Sequence, residues 1–363
     1  NEEDVYAGIE HRQTQDVYQC LKLITRPGCE KIVRYAFEHA RTHGRRKVSC
    51  FTKDNIMKMT DGLFHRVFDE IGAEYPGIEK EHRIVDIGAA QLADSPQQFD
   101  VIVMPNLYGD ILSDIAAEIA GSVGIAGTSN IGEHGAMFEA IHGSAPPLAG
   151  QDVANPSGLL LAGVQMLAHI GQPAVANAVH NAWLKTIEDG VHTFDVHDAE
   201  RSRAKVGTHA FAEAVIERLG AVPSTLKPAS YAEKPVAVAA SSHQRTRETK
   251  QLVGVDVFID RANATPDEIA AMMDEPLVSA SDGRVKLEMI TNRGVKVWPD
   301  GLPETFCTDH WRVRYKVEPG KTLDHAAVAN LLAQLAWRGV DFIKTEGLYT
   351  FDGKPGFSLG QGQ

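Results

Sequence analysis

Apolar positions recur along this chain in a helical and an alternating rhythm, and the two take turns. Between Gly28 and His43 the residues Ile32, Val33, Ala36, Phe37 and Ala40 fall at helical spacing, and the run stops at Gly44. That pattern predicts an amphipathic helix. Lys47 to Thr52 predicts a strand, and Thr60 to Tyr75 a second amphipathic helix. His82 to Asp86 reads as a short strand, Ile87 to Ala93 as a helix, and Phe99 to Met104 as a buried strand. The stretch from Pro105 to Asp114 then opens an apolar helical run that begins at Ile115. Ser157 to Ile170, Ala174 to Asp189 and His209 to Leu219 are helical by period, while Val5 to Glu10 and Cys20 to Thr25 read as extended. Small residues from Gly121 to Thr128 suggest close packing around a mobile turn. Strands alternating with helices predict an α/β sheet with helices packed on it.

The pattern changes at Ala221. From there to Lys250 the chain carries Pro223, Pro228 and Pro235, much Ala and Ser, and few large apolar residues, as a linker does. Beyond it, Val253 to Ile259 alternates like a strand, and Pro266 to Met273 reads as a helix started by Thr265. Val285 to Ile290, Val295 to Trp298 and Trp311 to Val317 read as strands, with Asn292-Arg293-Gly294 as a hairpin turn. Leu323 to Leu335 is a strong helix, and Val340 to Lys344 a closing strand. A β-α-β-β-β-α-β order predicts a small ferredoxin-like α+β domain. No motif there carries chemistry, so its default role is structural or oligomeric.

Composition narrows the class. The chain has 363 residues, 43% hydrophobic and 23% charged, enough for two or three globular domains. A net charge of −12 without a long basic run argues against nucleic acid or an anionic membrane surface as the partner. No apolar run reaches the roughly 18 residues that span a bilayer, and no signal peptide is visible. Cys20, Cys29, Cys50 and Cys307 show no C-x-x-C pair and read as free thiols in a reducing cytoplasm. The opening, Asn1-Glu2-Glu3-Asp4-Val5-Tyr6, lacks an initiator Met and reads as the middle of a domain, so an N-terminal portion is expected to precede it.

The candidate chemistry centres on Asp110 and Asp114. Four residues apart, they share one face of a helix and can hold a divalent cation or bracket a cationic group. The plainer alternative is an acidic first turn facing the helix dipole. Taken alone, Tyr6 reads as a packed aromatic, Lys53 as a surface charge and Asp86 as a strand-end cap. Five motifs in order change the weighting: Tyr6 to Glu10, Thr52 to Lys58, Asn106 to Asp114, Phe138 to Pro146 and Ala154 to Pro156. Together they resemble the β-decarboxylating dehydrogenase family of isocitrate, 3-isopropylmalate and homoisocitrate dehydrogenases. The resemblance covers about residues 1–220. Val253 to Phe258 and Met289 to Gly294 further resemble the extra C-terminal domain of some bacterial isocitrate dehydrogenases.

This resemblance implies an isocitrate/isopropylmalate dehydrogenase-like α/β sandwich, incomplete at its N-terminus, plus the small α+β domain. Residues 1–120 then form the small, dimerising and metal-binding part, and 121–220 the remainder of the cofactor-binding domain. Residues 221–250 are the linker and 251–363 the C-terminal domain. The implied reaction oxidises isocitrate and releases carbon dioxide to give 2-oxoglutarate, and it needs Mg²⁺ or Mn²⁺. Asp110 and Asp114 match metal ligands from one subunit and Asp86 the ligand lent by the other, which implies a homodimer. Lys53 matches the lysine near the substrate hydroxyl, and Tyr6 the tyrosine that reprotonates the enolate. The serine loop and the arginines that clamp the tricarboxylate substrate are expected upstream of Asn1. Alternatives are 3-isopropylmalate or homoisocitrate as substrate, or a catalytically silent nucleotide-binding subunit.

In the family, the loop Glu139, His142, Gly143, Ser144 and Ala145 lies against the adenosine, with His142 and Asn155 touching adenine and ribose. A G-x-G-x-x-G motif is neither expected nor present in the required context. A ribose 2′-phosphate needs cationic or hydroxyl donors. The Lys-Tyr pair of NADP-using relatives is replaced by Pro147 and Leu148, and their next tyrosine and arginine align with Phe194 and Asp198. The expectation is therefore NAD, with NADP the lesser choice, although Arg201 or Arg203 offers a phosphate contact.

Overall fold

The computed structural model describes residues 3–231, 247–274 and 285–359. Residues 232–246 of the expected linker lie outside the described residues. The chain divides into two compact units: Asn1–Ala7 with Lys22–His243, and Gly8–Leu21 with Gln244–Gln363.

The first residues depart from the extended reading. Val5–Ala7 is a single 3-10 turn, because Asp4 turns the chain with φ 65° and accepts the Val5 N–H at 2.9 Å. Strands β1 (Glu10–Arg12) and β2 (Tyr18–Cys20) then pair antiparallel within the second unit. Helix α1 (Arg26–Thr42) starts two residues before the apolar period does. The Thr25 hydroxyl accepts the Gly28 N–H at 3.1 Å, and Pro27 occupies the first turn, where no N–H is needed. Its buried face, Cys29, Val33, Ala36, Phe37 and Ala40, meets Phe64, Val67, Phe68 and Ile71 of α2 (Thr60–Gly72) over β3 (Lys47–Thr52).

β3 is the middle of a parallel three-stranded sheet, between β4 (Glu79–Ile84) and β5 (Val101–Val103). It is buried from Val48 to Thr52, as a strand covered on both faces must be. Helix α3 (Val85–Asp94) follows β4 without a loop, so Asp86 sits in a helical first turn and not at a strand end. Helix α4 (Asn106–Ala120) begins nine residues before Ile115, and its first turn holds no acid. Asp110 and Asp114 therefore lie inside the helix, and the dipole explanation for them fails. Phe51, Leu92 and Leu112 pack α3 and α4 together.

The hairpin β6 (Gly127–Ile131) and β7 (Ala136–Ala140) lies on α5 (Ser157–His169). A Cβ on Gly127 would stand 2.5 Å from the Ala162 backbone N, so only glycine admits this approach. Helix α6 (Pro173–Glu188), the short parallel pair β8 (Val191–His192) and β9 (Ala204–Lys205), and α7 (Thr208–Glu217) complete the unit.

In the second unit β10 (Lys250–Asp260), α8 (Pro266–Asp274), β11 (Lys286–Asn292), β12 (Val295–Trp298), β13 (His310–Lys316), α9 (His325–Trp337), β14 (Phe342–Phe351) and β15 (Lys354–Pro355) follow in order. The sheet runs β12-β11-β13-β10-β14-β15, antiparallel throughout. Arg293 and Gly294 join β11 to β12 with φ 51° and 82°, the positive pair that a two-residue hairpin loop requires. Side chains of both helices, including Ile269, Met273, Leu331 and Leu335, close over Val257, Ile259, Val313 and Tyr315.

Candidate active site

α4 owes its start to a residue outside it. Asp4 is fully buried, and its carboxylate accepts the Leu107 N–H at 3.0 Å, satisfying an orphan donor at the positive end of the helix. Lys22 lies 3.6 Å from Asp4 and 2.7 Å from the buried Asp61, whose other oxygen accepts the Lys53 N–H at 2.7 Å. One network thus fixes the segment before Tyr6, the first turn of α4 and the backbone of Lys53. Sequence reasoning missed Asp4, Lys22 and Asp61, because the contacts that tie them to one another and to α4 span 18 to 103 residues.

Two half-sites stand on this frame. In one, the Tyr6 hydroxyl bonds to Asp110. That bond, then burial, then the charges of Asp110, Asp4 and Asp114 push the phenol up to about 12, so it keeps its proton at neutral pH. In the other, Lys53 Nζ donates to Asp86 at 3.0 Å. The ammonium holds Asp86 below the usual carboxylate range, helped by N–H groups of its own first turn. Asp86, Asp110 and Asp114 are all exposed, and they do not converge: among the described residues no trio containing them could close on one ion.

The loop after β7 is held by short-range contacts of its own side chains and those of the hairpin. Glu139 accepts from Asn130 at 2.9 Å, and His142 Nδ1 lies 2.9 Å from the Gly143 carbonyl oxygen. Ala145 takes a left-handed φ of 43°, strain of about 1 kcal/mol for a residue with a Cβ. The turn Pro146–Leu148 follows, carrying Pro147 and Leu148; Ser144 precedes it on the exposed side. Asn155 is 7% exposed and engaged at both ends of its amide: Nδ2 donates to Asp195 at 3.0 Å, and Oδ1 accepts the Ser157 N–H at 3.0 Å. Burial raises the Asp195 carboxyl, but donors from Ser122, Thr193 and Asn155 outweigh it and lower the group. Asp195 carries no signal in the sequence, since a lone Asp has none until its donors are assembled.

Asp110, Glu139, His142 and Gly143 line one cleft of about 1740 Å³. A carboxylate face suited to a hard cation and a loop open to a nucleotide therefore share a space.

Comparison with known proteins places this fold among the dehydrogenases. The family profile described as isocitrate/isopropylmalate dehydrogenase matches residues 1–215, and that of the bacterial isocitrate dehydrogenase C-terminal domain matches 250–363. The chain belongs to the isocitrate/isopropylmalate dehydrogenase family. A Rickettsia bellii protein named as an NADP isocitrate dehydrogenase is 52% identical over all of this chain and 75% of its own length. The Thermus thermophilus protein of the same name is 42% identical over all of the chain and 72% of its own length. A crystal structure of a Thermus thermophilus protein superposes with a TM-score of 0.91 at 41% identity, covering 99% of this chain and 72% of that one.

These names overturn the expectation of NAD as the cofactor, drawn from Pro147, Leu148, Phe194 and Asp198. The expectation rested on missing donors and on repulsion by Asp198. In the structure the Asp198 carboxylate is engaged in its own turn, accepting the Glu200 and Arg201 N–H groups at 2.9 and 3.0 Å. The same loop carries the exposed cations Arg201 and Arg203, so donors lost at four aligned positions do not leave the region without any.

Proposed function

We propose that this chain oxidises isocitrate to 2-oxoglutarate and carbon dioxide with NADP as hydride acceptor, as a homodimer that requires Mg²⁺ or Mn²⁺. The shared cleft carries the reading, because metal-bearing helix and nucleotide loop face one space. Asp110 and Asp114, with Asp86 of a second copy, would hold the cation; their oxygens suit a hard ion. The cation supplies positive charge where substrate oxygen becomes negative. Lys53 hydrogen-bonds the substrate hydroxyl and passes on its proton, and Tyr6 delivers a proton to the enolate carbon. Glu139, His142, Gly143, Ser144 and Ala145 cradle the adenosine, and Asn155 meets it through its backbone. Arg201 and Arg203 grip the 2′-phosphate, past Pro147, Leu148 and Asp198.

A second copy is supported by the half-sites, each incomplete alone, and by what surrounds them. Ile111, Ile115 and Ile119 are 51%, 38% and 40% exposed along α4, and Ile87 on α3 is 51% exposed. An apolar stripe of this kind beside the metal aspartates fits burial against an identical face. Among the described residues no helix is long and apolar enough to cross a membrane. The free cysteines suit the reducing cytoplasm. We assign the metal-binding part to residues 1–120, the rest of the cofactor domain to 121–220 and the linker to 221–250. The C-terminal domain is assigned to 251–363.

Steady-state assays of the purified protein test this reading. Isocitrate with NADP and Mg²⁺ is expected to give the highest kcat/KM. In Arg201→Ala/Arg203→Ala, KM for NADP should rise about 10- to 100-fold, the loss of one charge-assisted contact or more, with NAD unaffected. A better rate with 3-isopropylmalate contradicts the substrate, and an equal loss with NAD contradicts the role of the arginines.

A further inference from the structure

We propose that Asp54, His65 and His82 form a second metal site, for a nitrogen-preferring divalent ion of the Zn²⁺ class, separate from Asp86, Asp110 and Asp114. The three come from different elements: the loop after β3, the middle of α2, and β4. His65 Nδ1 lies 2.7 Å from Asp54 Oδ2, and His82 Nε2 lies 3.9 Å from Asp54 Oδ1. One ligand atom from each falls within 4.8 Å of the other two, and among the described residues this trio alone of His, Cys, Asp and Glu does so. Ligand atoms of a tetrahedral Zn²⁺ with bonds of about 2.0–2.1 Å stand roughly 3.3 Å apart, between the two distances seen.

The surroundings suit such an ion. The imidazoles stack with centroids 3.6 Å apart and planes 13° from parallel, so metal entry requires them to splay until both lone pairs meet. Burial and then the His65 charge hold His82 below its ordinary range, keeping it in the neutral form a metal needs. His65 Nε2 faces Asp69 at 3.6 Å, the carboxylate that commonly backs a ligating histidine. Lys80 Nζ lies 3.7 Å from Asp69, and the Thr52 hydroxyl lies 2.9 Å from His82 Nε2, where the ion would replace it. The side chains of Asp54, His65 and His82, 21%, 27% and 22% exposed, leave a path in and room for water as fourth ligand. Two imidazoles and one carboxylate favour Zn²⁺, Co²⁺ or Ni²⁺ over Mg²⁺, which prefers all-oxygen ligands.

The test is titration of the purified protein with Co²⁺ in a large excess of Mg²⁺, read by visible d–d absorption. One equivalent per chain with the intense bands of low coordination is expected, and Zn²⁺ should erase it. His65→Gln and His82→Gln should each weaken binding about 100-fold or more, and Asp69→Asn about 10-fold. Asp110→Asn should leave it intact. The spectrum of the unsubstituted protein decides the matter even if a substitution unfolds the chain. No band under Mg²⁺, a band that survives both histidine changes in folded protein, or one lost in Asp110→Asn overturns the site.

Discussion

Asp256 and Asp110 are both carboxylates on regular elements, one in each unit, and the protein treats them in opposite ways. Asp256 on β10 is 2% exposed and receives two hydrogen bonds, at 2.7 and 2.8 Å, from Arg314 on β13, itself 1% exposed. Arg314 gives a third bond to the Ser358 carbonyl oxygen at 3.0 Å. Arg312 Nε lies a further 3.8 Å from Asp256, so the carboxylate finds all its positive charge within the fold. Asp110 and Asp114 are exposed on α4, and the contact to Asp110 is a neutral phenol, that of Tyr6. A buried carboxylate with its cation built in holds a fold together; an exposed one, like Asp110, is open to a cation from outside.

The largest expected effect is on that second kind. Asp110→Asn should lower kcat/KM by about 10³-fold, since metal charge stabilisation of several kcal/mol is lost. Thermal stability should stay within about 0.5 kcal/mol, as for an exposed site. Undiminished turnover in the variant would refute the metal assignment.

Arg314→Met should do the reverse, costing about 3–5 kcal/mol of stability by stranding a buried charge. In urea titrations the double change Asp256→Leu/Arg314→Met should recover most of that loss. A double variant as unstable as the single would show that the pair is not a closed unit.

A smaller effect concerns a group kept neutral. Burial, then the neighbouring charges of His43 and Arg45, push His39 on α1 down to about 4, from an ordinary 6.5. Between those values the unfolded chain binds more protons, so stability rises with pH through the window and falls as pH drops from 6.5 to 4. Denaturation midpoints should therefore fall on acidification by the equivalent of about 1–2 kcal/mol, and His39→Gln should flatten the slope. An unchanged slope would place the acid sensitivity elsewhere.

Legibility in the sequence follows how local the cause is. β3 is readable in full from Lys47 to Thr52 because a strand covered on both faces carries its burial in its own residues. The apolar period puts the start of α4 at Ile115 because Asn106, Gly109 and Asp110 show no such period; the cap that starts it is Asp4, more than a hundred residues earlier. The motifs around Tyr6, Lys53, Asp110 and His142 identify the family, yet not that the Asn155 side chain is committed to Asp195 and Ser157. Cofactor choice fails for a related reason. Position-by-position absence at Pro147, Leu148, Phe194 and Asp198 gives Arg201 and Arg203 in the same loop too little weight, and cannot show that the Asp198 carboxylate is already engaged.

The split of the metal site between two copies is tested most directly by mixing inactive chains. Asp86→Asn and Asp110→Asn proteins, each inactive alone, are unfolded together at equal amounts and refolded. If each site takes Asp86 from one copy and Asp110 from the other, random pairing restores roughly a quarter of the unsubstituted activity, one intact site in each mixed dimer. Activity no higher than that of either parent, with mixed dimers shown to have formed, would contradict the shared site.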